Sequence, residues 1–375
     1  MKNELQSFSP SLMLLSRRIV ILDLLLLITC FSIYWLDTTP PNPNLVESGL
    51  GIPFRFPAKD EAPAERPAAA PESTGAVEVE TSAATTSERK LSSSILISGH
   101  PDTIPYLSFD PDMLKAMYEQ ANYLRRADVK KHTRSGISKN EMLRTVELLQ
   151  NVQLLDPSVL LTTFDFYGIN TDLKKDRVRM TGYYTPVIEA SRVRTDEFPV
   201  PMYKRPDSNV PNPAAIEAGA LSGRNMELAW VASKKALANA QLQGNCLVEF
   251  PDGKRQHFGF GGSVKGKGGR YVFFTPVDDK VLGCGFFPLT AGYSVAVDPR
   301  YIPIGSTLLA ELPDIDASGK LKGYTYRIIF AQDRGGAILT TKRMDLYCGT
   351  GKKGLQEARK INRFGRLWLM LPKER

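Results

Sequence analysis

The chain has 375 residues, 42% of them hydrophobic and 23% charged, which is capacity for one large domain or two medium ones. Its net charge of +8 is unevenly spread: residues 1–36 carry three Lys or Arg against two Asp or Glu, residues 37–90 carry five against nine, and residues 91–375 hold a net +11. A basic body suits a polyanion, either nucleic acid or an anionic cell wall, but no arginine-rich run, zinc-finger spacing or RNP-like motif supports nucleic acid, so no nucleic-acid partner is expected. Cys30, Cys246, Cys284 and Cys348 form no C-x-x-C, and His100, His132 and His257 form no H-E-x-x-H, so neither a metal site nor a cofactor is expected.

Residues 1–36 read as a cytoplasmic segment and a transmembrane anchor. Ile19 to Leu36 is an apolar run interrupted only by Asp23, with Arg17 and Arg18 before it and Tyr34 and Trp35 at its far edge. Basic residues on one flank and interfacial aromatics on the other place the N-terminus in the cytoplasm. A cleaved signal lacks an A-x-A site here, and Leu27-Ile28-Thr29-Cys30 is a poor lipoprotein box because Thr29 precedes the cysteine. The expected location is the inner membrane with the body in the periplasm, and the alternative is an outer-membrane lipoprotein. Residues 37–100, rich in Pro, Ala, Glu, Ser and Thr, read as a disordered tether that cannot bury enough apolar surface to order itself.

The folded part opens with helices. Asp110-Pro111 supplies an N-cap and an N1 proline, followed by a stripe of Leu114, Met117, Ala121 and Leu124. Ser138 and Glu141 make a capping box ahead of Met142, Val146 and Leu149. From Val178 onward the chain is cut into short β-type runs punctuated by Gly and Pro, the pattern of barrels or sandwiches. Further helices are expected near 229–242 and 354–362.

Three aspartates stand out in the C-terminal third, each at the end of an apolar β-type run beside turn residues: Asp298 in YSVAVDPR, Asp333 in IIFAQDRGGAI and Asp345 in RMDLYCGTG. Carboxylates on strand ends that share a cleft push one another's pKa apart, so one stays protonated near neutrality. Taken singly, an Asp beside a turn is more often a structural Asx-turn residue. The spacing alone leaves these two readings open.

The three-aspartate segment resembles the 3D domain, and Met180–Val187 (MTGYYTPV) resembles the signature of the membrane-bound lytic murein transglycosylase A family. The likeness continues through 214–222, Gln243-Gly244, 271–276, 292–309 and 331–351 to Asn362 and the Phe-Gly-Arg-Leu-Trp at 364–368, spanning roughly residues 105–372. This resemblance implies a mainly β fold with a few helices: a double-psi β-barrel from 101–184 and 289–375, with a smaller inserted β-domain at 185–288 and a glycan groove between them. It implies a peptidoglycan lytic exotransglycosylase, a lyase that cuts the β-1,4 bond between N-acetylmuramic acid and N-acetylglucosamine and leaves a 1,6-anhydro end.

By the same resemblance Asp345 is the single acid–base group, and Asp333 and Asp298 tune and orient it. Arg334, directly after Asp333, is expected to favour the ionised form of Asp333 if it points into the cleft. Thr181, Gly182, Tyr183 and Tyr184 would line the groove from the barrel, with Gln243 and Gly244 facing them from the insert. The chemistry is physically coherent: attack by the sugar's own C6 hydroxyl needs one group that first gives and then takes a proton, whereas a hydrolase needs a second carboxylate. Departures from the family pattern are Arg334, Cys348 after D-L-Y, and a short insert. A barrel that binds peptidoglycan without cutting it is the alternative reading. An aspartic peptidase is disfavoured by the lack of a second D-[TS]-G. One disulfide among Cys246, Cys284 and Cys348 is open, with no pairing indicated.

Overall fold

The computed structural model describes residues 91–374, apart from 108, 130–134, 152–155, 172–176, 279 and 317. The apolar segment at 19–36 and the tether up to residue 90 lie outside the described residues. Among those described, no helix is long and apolar enough to cross a membrane.

In chain order the strands are β1 (Leu96–Ser98), β2 (Phe164–Ile169), β3 (Val178–Thr185), β4 (Val187–Ser191), β5 (Val200–Tyr203), β6 (Glu227–Val231), β7 (Cys246–Glu249), β8 (Arg255–Gly266) and β9 (Gly269–Val277). They continue with β10 (Ser294–Val297), β11 (Thr307–Ile315), β12 (Leu321–Arg334), β13 (Arg343–Thr350), β14 (Asn362–Gly365) and β15 (Leu367–Pro372). The helices are α1 (Pro111–Arg125), α2 (Lys139–Asn151), α3 (Pro157–Thr163), α4 (Pro213–Glu217), α5 (Lys234–Gln243) and α6 (Gly351–Lys360).

The fold is mainly β with a few helices, as expected, and the strands divide into two sheets. One has nine strands in the order β1-β2-β15-β11-β12-β10-β13-β3-β14, and the other has six, in the order β5-β6-β4-β7-β8-β9. Within the nine-stranded sheet, β14 is an edge while β15 is interior, yet only Arg366 separates them in sequence. The sheet must therefore curl until its β14 edge meets β11, and it does so: the Glu311 amide donates to the Arg366 carbonyl at 2.9 Å. The buried Glu311 carboxylate also receives the Arg366 guanidinium in a fork of 3.0 and 2.9 Å. Pairing of a buried carboxylate in this way offsets the cost of removing it from water.

Residues 96–98, read from sequence as the end of the tether, form β1 against β2 and bury Ile95 and Leu96. α1 begins where expected, with Asp110 accepting from the Met113 amide at 2.8 Å. Its buried face is Met113, Ala116, Met117, Gln120, Ala121 and Leu124, whereas Leu114 is half exposed, a correction to the expected stripe. The Ser138–Glu141 box is formed in both directions, at 2.7 and 3.1 Å, and Met142, Val146 and Leu149 are buried. The helix expected from residue 229 starts only at Lys234, because 227–231 pair as β6 with β4 and β5.

Each sheet has its own core. Val295, Val297, Leu308, Ile329, Phe330 and Leu369 belong to the larger one, and Ile188, Val231, Val248, Phe258 and Phe274 to that of the six-stranded sheet. Cys246, Cys284 and Cys348 are free thiols, so no disulfide joins them.

Candidate active site

Strand register assembles the site. In the nine-stranded sheet β10 lies between β12 and β13, and Ala296 of β10 stands opposite Asp333 on one side and Asp345 on the other. Asp345 in turn faces Thr181 of β3, which faces Asn362 of β14. Residues directly opposite one another project to the same face of a sheet, so Asp333, Ala296, Asp345, Thr181 and Asn362 form one row across five strands. Strands lie about 4.8 Å apart, which puts the two aspartate backbones roughly 10 Å apart with a methyl side chain between them.

Asp333 accepts from the Tyr183 hydroxyl at 2.9 Å and from the Cys284 amide at 3.0 Å. Burial raises its carboxyl to about 6 despite these bonds and despite Arg334. Arg334 favours the ionised form, as the sequence suggested, but its side chain is exposed and desolvation outweighs it. Tyr183 packs its ring on Tyr347, with centroids 5.3 Å apart, and burial together with the Asp333 charge raises its phenol well above the ordinary range.

Asp345 is also raised by burial, partly countered by Arg343 and then Arg179. The Thr181 hydroxyl donates to its Oδ1. Arg343, which the sequence reading missed, forks it with Nε at 2.9 Å and Nη2 at 3.0 Å. The only hint in the sequence is the i, i+2 spacing that puts both residues on one face of a strand.

Asp298 follows β10 but is committed elsewhere. Its Oδ1 accepts from the Arg300 amide at 3.1 Å and Nε at 2.9 Å, and its Oδ2 from Arg300 Nη2 at 2.6 Å. Arg300 also holds the Leu339 carbonyl at 2.7 Å. Among the described residues Asp298 thus organises a turn, the Asx-type role weighed for it from sequence, and its carboxylate is paired with Arg300 rather than with the groups around Asp333 or Asp345.

The residues expected along a groove divide by role. Thr181 and Tyr183 touch the two carboxyls. Gly182 points to the other face, where a Cβ would lie 2.7 Å from Ala358 Cα and 3.0 Å from Cys348 Sγ, so only glycine lets α6 cross β3 this closely. Tyr184 is buried, with its hydroxyl accepting from Asn239 at 2.9 Å and its amide donating to Gln243 Oε1 at 3.1 Å. Gln243 therefore ties the last turn of α5 to β3. Gly244, at φ +75°, is the left-handed cap of that helix. Two concavities of about 420 and 410 Å³, one beside β1 and β15 and one on the six-stranded sheet, are lined by none of the three aspartates.

A closed mainly β body carries two partly desolvated aspartates in one cross-strand row, beside a smaller β-sheet unit, so two groups able to exchange protons stand on a two-sheet scaffold. Known proteins share the scaffold. The profile of the 3D domain matches residues 293–371, and that of the MltA specific insert domain matches residues 179–267. Membrane-bound lytic murein transglycosylase A of Escherichia coli K12 is 32% identical over 243 residues, and that of Vibrio cholerae is 28% identical over 242. These alignments cover 52% of this chain and 65–66% of the relatives' length. A crystal structure of E. coli MltA with bound chitohexaose superposes at a TM-score of 0.62 with 25% identity, over 76% of this chain and 97% of that one. The membrane-bound lytic murein transglycosylase from Agrobacterium tumefaciens, at 20% identity and a TM-score of 0.58, shares the fold. Together these matches support the membrane-bound lytic murein transglycosylase A family for this chain, which spans just under two thirds of the length of the curated relatives it matches.

Proposed function

We propose that the protein cleaves the β-1,4 bond between N-acetylmuramic acid and N-acetylglucosamine in peptidoglycan, leaving 1,6-anhydro ends. The observation that carries this reading is the row Asp333–Ala296–Asp345–Thr181, in which burial raises the carboxyls of both aspartates. Asp345 is the proton donor. An O–H bond on its carboxyl breaks as one forms to the glycosidic oxygen, and the leaving sugar departs. The C6 hydroxyl of the muramyl residue then attacks the anomeric carbon and returns its proton to Asp345. The ring's own hydroxyl is held at high effective concentration, so no water has to be activated. Asp333, held by Tyr183 and the Cys284 amide, is the second carboxyl of the row.

Incubation of residues 91–375 with purified murein, followed by mass spectrometry, tests the reaction. Anhydro-muropeptides carrying no label from ¹⁸O water are expected. Labelled reducing ends would mean hydrolysis, and an unchanged sacculus would mean a binding module. We further propose that residues 1–18 are cytoplasmic, 19–36 anchor the chain in the inner membrane and the body is periplasmic. Alkaline phosphatase fused after residue 100 should then be active and membrane-bound. An inactive fusion overturns the topology, and an active one shed by cleavage overturns the anchor.

A further inference from the structure

Arg343 precedes Asp345 by two residues on β13, so both side chains leave the same face. Its guanidinium meets the carboxylate edge on, Nε to Oδ1 and Nη2 to Oδ2, and Nε also reaches Thr181 Oγ1 at 3.2 Å. A planar fork of this kind fixes the carboxyl's direction and favours its charged form. A charged carboxylate cannot donate a proton. The side chain of Arg343 is 37% exposed against 16% for Asp345, so the guanidinium has open solvent to move into.

We propose that Arg343 is the positioning residue for Asp345: in the free protein it aims the carboxylate and, against the effect of burial, favours its charged form, and the fork opens when a glycan strand enters. This rests on the reading of Asp345 as the proton donor. As the guanidinium withdraws, Asp345 takes a proton from solvent, and that O–H bond is the one broken in the transfer to the glycosidic oxygen.

The other groups around Asp345 do not replace Arg343. Arg179 of β3 stands opposite Arg343 in register but is held by Asn362 Oδ1 at 3.1 Å. Thr181 and Tyr183 on the same strand are neutral donors, and Tyr347 of β13 bonds Thr185. From β10 comes only Ala296, with Asp298 beyond it engaged by Arg300. β12 brings Asp333 and the exposed Arg334, and β14 brings Asn362 and Arg363. α6 crosses the opposite face, where its Glu357 acts on Cys348.

The test is a ¹³C-carboxyl NMR titration of wild type, Arg343→Gln and Arg343→Lys, with the Asp345 signal assigned by its loss in Asp345→Asn. In Arg343→Gln the Asp345 signal should titrate about one pH unit or more higher, and Arg343→Lys, which keeps charge without the fork, should fall between. An unmoved signal in both folded variants overturns the proposal. In wild type the basic limb of kcat should lie above that of kcat/KM, since kcat reports the glycan-bound state; coincident limbs overturn the opening of the fork. The kcat/KM limb should follow the NMR signal in Arg343→Gln. If the signal moves and the limb does not, the clamp stands and Asp345 is not the proton donor.

Discussion

At Asp345 the side chain's value lies in the proton it carries. Asp345→Asn keeps the shape and the Thr181 contact but removes the proton, so turnover should fall on the order of 10²–10⁴-fold, the usual share of general acid–base catalysis. Glycan binding by calorimetry should be retained. Near-native release of anhydro-muropeptides would move the acid role to Asp333. Asp333 itself, raised to about 6 from 3.8, carries a stability signature. Its folded form keeps a proton that the unfolded chain has already released between about pH 4 and pH 6, so the native state loses stability as pH rises through that window and no more above it. The stability of Asp333→Asn relative to wild type should therefore grow from pH 4 to pH 7, by at most about 3 kcal/mol. Urea melts at the two pH values check this, and a constant difference would refute it. The Tyr183 hydroxyl bond lowers Asp333, so Tyr183→Phe should push it higher and move the acidic limb of the rate profile upward. An unmoved limb would show that ionisation of Asp333 does not govern that limb.

At the scale of elements, close approach and capping decide more than propensity. Gly182→Ala would place a methyl inside the α6 backbone and should cost about 1–3 kcal/mol, the range for overpacking. Thermal melting reads it, and an unchanged melting temperature would mean that α6 yields freely. The capping box at Ser138 and the Asp110-Pro111 start were legible because the signals are local. The same signals stand at Asp156-Pro157 and Asn212-Pro213, which open α3 and α4, but those helices are too short to show a periodic stripe. Ser233, whose hydroxyl accepts from the Ala236 amide at 3.2 Å, marks the true start of α5. Apolar residues 227–231 suit helix or strand equally, and pairing with β4 and β5 selected strand.

For the whole molecule, the cores around both sheets lie within residues 91–374. A chain beginning at residue 91 should fold cooperatively and melt within a few degrees of the full-length protein. A markedly lower melting temperature would show that the preceding segment packs on the body. Local pattern determined the β-rich character, the opening helices, the family motifs and the candidacy of Asp345 and Asp333 alongside Asp298, because caps, turn residues and alternation act over a few residues. Their meeting was decided only by the tertiary structure. Ala296, far from both in sequence, sets them in one row through register on two different neighbours, parallel on one side and antiparallel on the other. Asp298 sits in the same motif and close in sequence, yet Arg300 captures it for a turn. Arg343 was hidden for the converse reason: a lone arginine becomes a clamp only when strand geometry and burial turn its fork onto a carboxyl, and desolvation, which no sequence pattern displays, then sets the balance of charge.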